Sequence, residues 1–320
     1  MKILPKKIWA ILLIFLLIFV SCNNQYEKNT QTLRLNFQEG DVPTLHPHLL
    51  EGHMRGRVLG KAIFEGLTRI NGKGEAELAG AESVEISPSK TLYTFILRDN
   101  KWSDGTTVTA FQYEKAWKQA IAPTSDCTRS DLFYAIKGAE KAKKGILSLG
   151  EVGVKALDKK TLSVELTFPT PYFLKLIASP LFTPVTRDEA EPTRFNGPFK
   201  VERWKRGSLL VLKANPFFWD SDKVPLSEIE IQMVDDPLTS FLMYEKQKID
   251  WIGNPFCWLS SEMVVQLQEK GELQIQPVAR THWVYINTSH PFLSSSKIRQ
   301  ALSLSIDRSL IAQHIIPGNT

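Results

Sequence analysis

The first 22 residues, MKILPKKIWAILLIFLLIFVSC, constrain this chain more than any other stretch. Lys2, Lys6 and Lys7 flank an unbroken apolar run from Ile8 to Val20. That run is too short to cross a bilayer, which takes about 20 residues, and it fits the apolar region of an export signal. Ser21 and Cys22 follow, then polar Asn23-Asn24-Gln25. A cysteine there is the acceptor of lipoprotein-type processing, with cleavage before Cys22 and acylation of its thiol, although Phe19 stands where leucine is preferred. An ordinary secretory signal and an uncleaved anchor are the alternatives. An exported chain can rely on disulfides, yet beyond Cys22 this one has only Cys127 and Cys257. It must therefore be held by a hydrophobic core, with a Cys127–Cys257 bridge the one pairing open to it.

The charge argument follows from the same segment. The whole chain has 39 basic and 34 acidic side chains, a formal charge of +5. Removing residues 1–21 takes away three lysines and no acid, leaving 36 against 34, or +2. The basic balance belongs largely to the signal and implies no nucleic-acid partner. The remainder, about 300 residues, is long enough for a large core and two or more lobes. No later apolar run approaches membrane-spanning length.

Residues 22–31 read as a polar tether. Thr32 to Phe37 alternates apolar and polar residues as a strand does, and the loop Gly40 to His48 leads to a helix over 53–65. Tyr93, Phe95 and Leu97 mark a strand with one buried face. Asp104-Gly105 signals a turn. Thr109 and Gln112 form a capping-box pattern, with Phe111, Ala116, Trp117 and Ala120 as the inner face of the helix behind it. Residues 150–168 read as two short strands around Asp158-Lys159-Lys160, with a helix near 172–178 after Pro169 and Pro171. A hairpin is expected over 199–213, turning at Lys205-Arg206-Gly207, and a strand over 228–234. Asp236-Pro237 opens a helix to about 247, and Ser260 or Ser261 opens another to about 269. A strand is expected over 282–287, and an amphipathic helix is capped by Ser294 to Ser296. This mixture, without repeats, predicts α/β lobes.

Catalytic constellations are missing from the sequence. There is no G-x-S-x-G, H-E-x-x-H, P-loop or G-x-G-x-x-G pattern, so neither an enzyme nor a cofactor is expected. His46, His48 and His53 raise a transition-metal reading, but Pro47 fixes the backbone between the first two and only Asp41 and Glu51 lie nearby, so no metal ligand is assigned. Of the seven tryptophans after the signal, two are expected at a ligand cleft and the rest in the core.

Several segments, in order from about residue 32 to 315, resemble one family. They are Leu45-His46-Pro47-His48; Glu65-Gly66-Leu67; Tyr93 to Ala110 (YTFILRDNKWSDGTTVTA); Gly153 to Leu166; Pro169 to Phe173; Asn196-Gly197-Pro198-Phe199-Lys200-Val201; Asn215-Pro216-Phe217-Phe218-Trp219; Lys248-Ile249-Asp250; and Ile298 to Arg308. Together they are similar to solute-binding lipoproteins of ATP-driven peptide importers, the oligopeptide-binding branch, with His46 in place of the aspartate usual there.

The resemblance implies a periplasmic-binding-protein-like, two-lobed clamp with an extra domain, closing by a hinge. The first lobe would combine residues 32–70 and 185–280, the extra domain would be 71–184, and 281–320 would begin a second lobe. Such proteins hold short peptides through the main chain, as a strand joins a sheet. By this likeness Asp41, Val42, Pro43 and Thr44 run beside the peptide, Asn254 contacts it, and His282 and Trp283 lie near the cleft. The implied partners are short peptides, permease subunits and, through Cys22, the periplasmic face of a bacterial membrane. Family members continue well past the position of Thr320, so the second lobe is expected to be truncated. The chain alone is then expected to bind peptides weakly or not at all, unless a second polypeptide completes it. A non-transporting lipoprotein remnant or surface antigen, and a metal or metal-chelate carrier of the same fold, are the other readings.

Overall fold

The computed structural model describes residues 31–185, 191–276 and 283–314. Cys22 and His282 lie outside them. The chain divides into two compact units, one ending at Cys257 and one beginning at Trp258.

The first unit contains three sheets. In chain order its elements are β1 (Thr32–Asn36), α1 (Pro47–Leu50), α2 (Met54–Ile63), β2 (Thr68–Ile70), β3 (Ala76–Leu78), β4 (Ala81–Ile86), β5 (Leu92–Leu97), α3 (Ala110–Ala120), α4 (Ala139–Lys143), β6 (Val154–Ala156), β7 (Thr161–Glu165), α5 (Phe173–Leu176), β8 (Phe199–Lys205), β9 (Leu209–Ala214), β10 (Glu228–Gln232) and α6 (Pro237–Glu245). One four-stranded sheet has the order β1-β10-β9-β8. Here β1 runs parallel to β10, with Leu33 opposite Ile229 and Leu35 opposite Ile231, while the other pairs are antiparallel. The second four-stranded sheet, β4-β5-β7-β6, is wholly antiparallel. β2 and β3 form a two-stranded ribbon.

Pattern explains placement. On β5, Tyr93, Phe95 and Leu97 are buried, as alternation requires of a sheet with one packed face. On β9, Leu210, Val211 and Leu212 are all buried because the strand is central and covered on both faces. One continuous core joins Leu210 and Ile231 of the first sheet with Phe95 and Leu162 of the second. Trp117 is fully buried there, and its Nε1 donates to Phe182 O at 2.8 Å.

Three expectations are corrected. Phe111 is half exposed, since the inner face of α3 is Ala110, Tyr113, Ala116, Trp117 and Ala120. Five residues separate Phe111 from Ala116, which at about 100° per residue puts them on different sides of the helix. Cys127 and Cys257 are buried free thiols. Burial raises the pKa of both, and Cys257 Sγ donates to Asn36 O at 3.3 Å.

The third correction falls in the second unit, which contains α7 (Ser261–Glu269), α8 (Ser296–Leu304) and α9 (Arg308–His314). Residues 283–287, expected as a strand, are irregular. An alternating segment becomes a strand only where another offers a ladder, and none among the described residues does. Among the described residues no helix is long and apolar enough to cross a membrane.

Candidate functional site

In open sheets, ligands collect beyond the carboxyl ends of parallel strands. The β1–β10 pair supplies such an end, and two loops gather there. The first follows β1, the second follows α6, and they meet where Gln38 N donates to Phe256 O at 3.1 Å and the rings of Phe37 and Phe256 stack at 5.6 Å. Beneath them, Asn36 is fully buried. Its Nδ2 donates to Val234 O and Ser240 Oγ, both at 2.9 Å, and its Oδ1 accepts from Val234 N at 2.8 Å. A buried amide with its partners in place fixes the origin of the first loop against the entry into α6.

The first loop is clamped by the tip of the β8–β9 hairpin. The Asp41 carboxylate accepts from Trp204 Nε1 at 3.0 and 3.1 Å and from Gly207 N at 3.0 Å. Arg206 Nη1 donates to Val42 O at 2.9 Å and Pro43 O at 3.1 Å, and Nη2 donates to Glu191 Oε1 at 2.8 Å. Glu191 Oε2 in turn accepts from Leu45 N at 2.9 Å. The guanidinium lies 3.4 Å from the centre of the Trp204 ring, a stacked cation–π pair. Of the four residues expected beside a ligand, Asp41 faces its own hairpin, Val42 and Thr44 are buried, and Pro43 is exposed.

The second loop carries Asn254, whose side chain is exposed. Its start is fixed by Arg34 and Asp250: Arg34 Nε and Nη2 both donate to the Asp250 carboxylate, Arg34 N donates to Oδ2 at 2.7 Å, and Asp250 N returns a bond to Arg34 O at 2.8 Å. The hydrogen bond from Arg34 holds the Asp250 pKa below the ordinary carboxylate value. Trp251, beside it, is 47% exposed. In the second unit Trp283 is 73% exposed.

The histidine loop does not bring its three imidazoles together. The rings of His46 and His48 meet edge to face at 4.9 Å, and His53 is exposed. Burial drives the His48 pKa down to about 3, and its buried Nε2 has no hydrogen-bond partner. Among the described residues no group of three potential ligands forms.

Two distant motifs converge instead on Glu65 of the Glu65-Gly66-Leu67 motif. Asn196 pairs with its backbone, accepting from Glu65 N at 3.2 Å and donating to Glu65 O at 2.8 Å. Trp219 Nε1 donates to Glu65 Oε2 at 2.8 Å. Gly197 sits so close that a Cβ there would come 2.6 Å from the Ile63 and Phe64 backbone. Burial pushes the Glu65 pKa up to about 7, against the lowering effect of Trp219 and Arg69. The sequence offers all three motifs but not their meeting at one residue, Asn196 on its backbone and Trp219 on its carboxylate. Sequence reasoning also missed Trp204, Arg206 and Glu191 as the loop's clamp.

The chain matches the bacterial extracellular solute-binding proteins, family 5 Middle, over residues 75–320. It is 37% identical to the oligopeptide-binding protein OppA of Bacillus subtilis, over 98% of this chain and 62% of that protein. It is similar to the structure of Listeria monocytogenes OppA bound to peptide, with 33% identity and a TM-score of 0.69 over 75% of this chain and 48% of that one. The murein tripeptide binding protein MppA of Escherichia coli gives 25% identity and a TM-score of 0.79, over 89% and 58%. The chain thus spans about half to three fifths of the length of the relatives it matches.

Proposed function

The chain belongs to the bacterial extracellular solute-binding proteins of family 5, and on that premise we propose that it binds oligopeptides outside the cytoplasm and delivers them to an ATP-binding-cassette importer. The observation that carries the proposal is the clamped loop 41–44 beside Asn254 at the carboxyl end of the β1–β10 pair. A peptide held there would be read through its main chain, which is the same for every sequence. Its side chains would meet water, which adapts to different groups. Residues 32–70 with 185–280 make the first lobe in this reading, 71–184 the extra domain, and His282 and Trp283 approach the ligand from a second lobe. No reaction follows from such an arrangement, so the protein acts as a receptor and not as an enzyme.

Cys22 bears the lipid in this reading and residues 22–31 tether the receptor to the membrane. Labelling with radioactive palmitate should depend on Cys22 and be lost in Cys22→Ala. A further stretch of polypeptide completes the second lobe. The exposure of Trp283, Val284, Tyr285 and Leu304 supports this, since large apolar side chains left in water call for cover.

The test is calorimetric titration with a pool of tri- to pentapeptides. It compares the chain alone with a chimera carrying the part of the Bacillus subtilis relative that lies outside the match. The chimera should bind at least about a hundredfold more tightly than the chain alone, near 3 kcal/mol. Failure of a folded chimera to bind any of the pool would overturn the proposal.

A further inference from the structure

A cavity of about 440 Å³ opens in the first unit between the end of α2, the β2 ribbon and the segment after β9. It shares no lining residue with the loops around Asp41 and Asn254. Its size lies in the range of small-molecule sites, about 300–1,000 Å³. Phe64, Phe199 and Phe218 form an apolar wall. Arg69 is fully engaged: Nε donates to Glu77 Oε1 at 2.6 Å, Nη2 to Asp220 Oδ2 at 3.2 Å, and Nη1 lies 3.5 Å from Glu65 Oε1. Lys223 pairs with Asp220 at 3.1 Å. Lys61, in the last turn of α2, lines the cavity and forms no ion pair among the described residues.

The charges decide the ligand class. Lys61, Arg69 and Lys223 stand against Glu65, Asp220 and the Glu77 that holds Arg69, so the charges balance when Glu65 is ionised. Glu65 is buried and titrates near pH 7, so its protonation leaves up to one positive charge in excess, at Lys61. A half-open cavity with an apolar wall and an unmatched ammonium at its edge suits a group that is apolar at one end and anionic at the other.

We propose that this cavity is a second ligand site, taking a small amphipathic carboxylate whose aromatic or branched aliphatic body lies against Phe64, Phe199 and Phe218 and whose carboxylate meets Lys61. The site is independent of peptide binding at the Asp41 loop. Protonation of Glu65 strengthens it. The groups facing that carboxyl are Arg69 from β2, Asp220 and Trp219 from the segment after β9, and the Tyr113 hydroxyl from α3. Arg69 stays charged throughout, and Asp220 is held ionised by Lys223 and Arg69, so Glu65 is the group that changes between pH 6 and 8.

The probe is 3-phenylpropionate, followed on the full chain by saturation-transfer NMR and calorimetry, with 3-phenylpropylamine and 3-phenylpropanol as controls. Saturable binding of the carboxylate is expected, with both controls about tenfold weaker or worse. Lys61→Glu, at an exposed position, should weaken it about tenfold or more. Ala178→Trp, which fills the cavity, should abolish it while circular dichroism stays native. Binding should be tighter at pH 6 than at pH 8, and that ratio should vanish in Glu65→Gln. Absence of saturable binding, equal binding of the amine, or indifference to both Lys61→Glu and Ala178→Trp would overturn the site. A pH ratio that survives Glu65→Gln would overturn the role given to Glu65.

Discussion

Two buried groups pull the stability of this protein in opposite directions with pH. The Glu65 carboxyl titrates near 7 in the fold against an ordinary 4.5, because burial disfavours its charge. Between those values the folded chain keeps a proton that the unfolded chain has released, so stability falls as pH rises through the window. His48 is held down to about 3 against an ordinary 6.5, again by burial. Between 6.5 and 3 the unfolded chain gains a proton that the fold refuses, so stability falls as pH drops. From 4.5 to 6.5 the two slopes, each up to about 1.4 kcal/mol per pH unit, largely offset one another. His46, lowered for the same reason, adds to the His48 side. Urea midpoints of Glu65→Gln should therefore rise with pH across 4.5–6.5, and those of His48→Leu should fall. Wild-type slopes in both variants would sink the argument. Asp41 gives a second test at this scale. Asp41→Ala leaves Trp204 Nε1 and Gly207 N without their acceptor and should cost about 1–3 kcal/mol by urea denaturation.

At the scale of elements, the local signals were the readable ones. Asp236 caps α6 through Thr239 N at 2.6 Å, with Pro237 in the first turn, as the dipeptide alone requires. The Gln112 side chain closes its half of the box on α3, accepting from Thr109 N at 2.8 Å. It also accepts from Trp102 Nε1 at 3.2 Å, a contact that no capping pattern announces. Gln112→Ala removes a cap and strands the indole N–H of a fully buried tryptophan, so a loss of about 2 kcal/mol is expected. Thermal or urea unfolding should show it, and Gln112→Glu should restore most of it. The loop clamp was not readable for the opposite reason. Lys205-Arg206-Gly207 announces a turn and nothing more, because Arg206 finds Val42 and Pro43 about 160 positions away. Asp41 was picked from the sequence as a ligand neighbour. Its carboxylate holds the hairpin, a role that depends on a register the sequence does not print. The strand expected over 282–287 failed for a related reason: alternation specifies a face, and only a neighbouring strand turns a face into a ladder.

At the scale of the molecule, the two units are finished to different degrees. The first has a continuous core from Leu35 to Ile231 around fully buried Trp102, Trp117, Phe95 and Phe133. The second exposes most of the large apolar side chains described in it: Val284 is 79% exposed, Tyr285 93% and Leu304 85%. No residue of α8 is buried, although its sequence is amphipathic. An isolated amphipathic helix of nine residues gains little from propensity and needs a packed face to persist. Such a face, left in water, recruits other apolar surface. We therefore expect the second unit to govern association. In sedimentation velocity the chain should self-associate as concentration rises, and it should enhance the fluorescence of anilinonaphthalene sulfonate. Tyr285→Lys with Leu304→Lys should suppress both effects and leave the first unit's unfolding midpoint unchanged, since neither residue belongs to its core. The chimera carrying the relative's remaining segment should suppress both without any substitution, because the same face is then covered from within the chain. A chain that stays monomeric and dark to the dye at every concentration would mean that α8 and residues 283–287 find their cover within the chain itself, and the case for a further stretch of polypeptide in the second lobe would lose its physical basis.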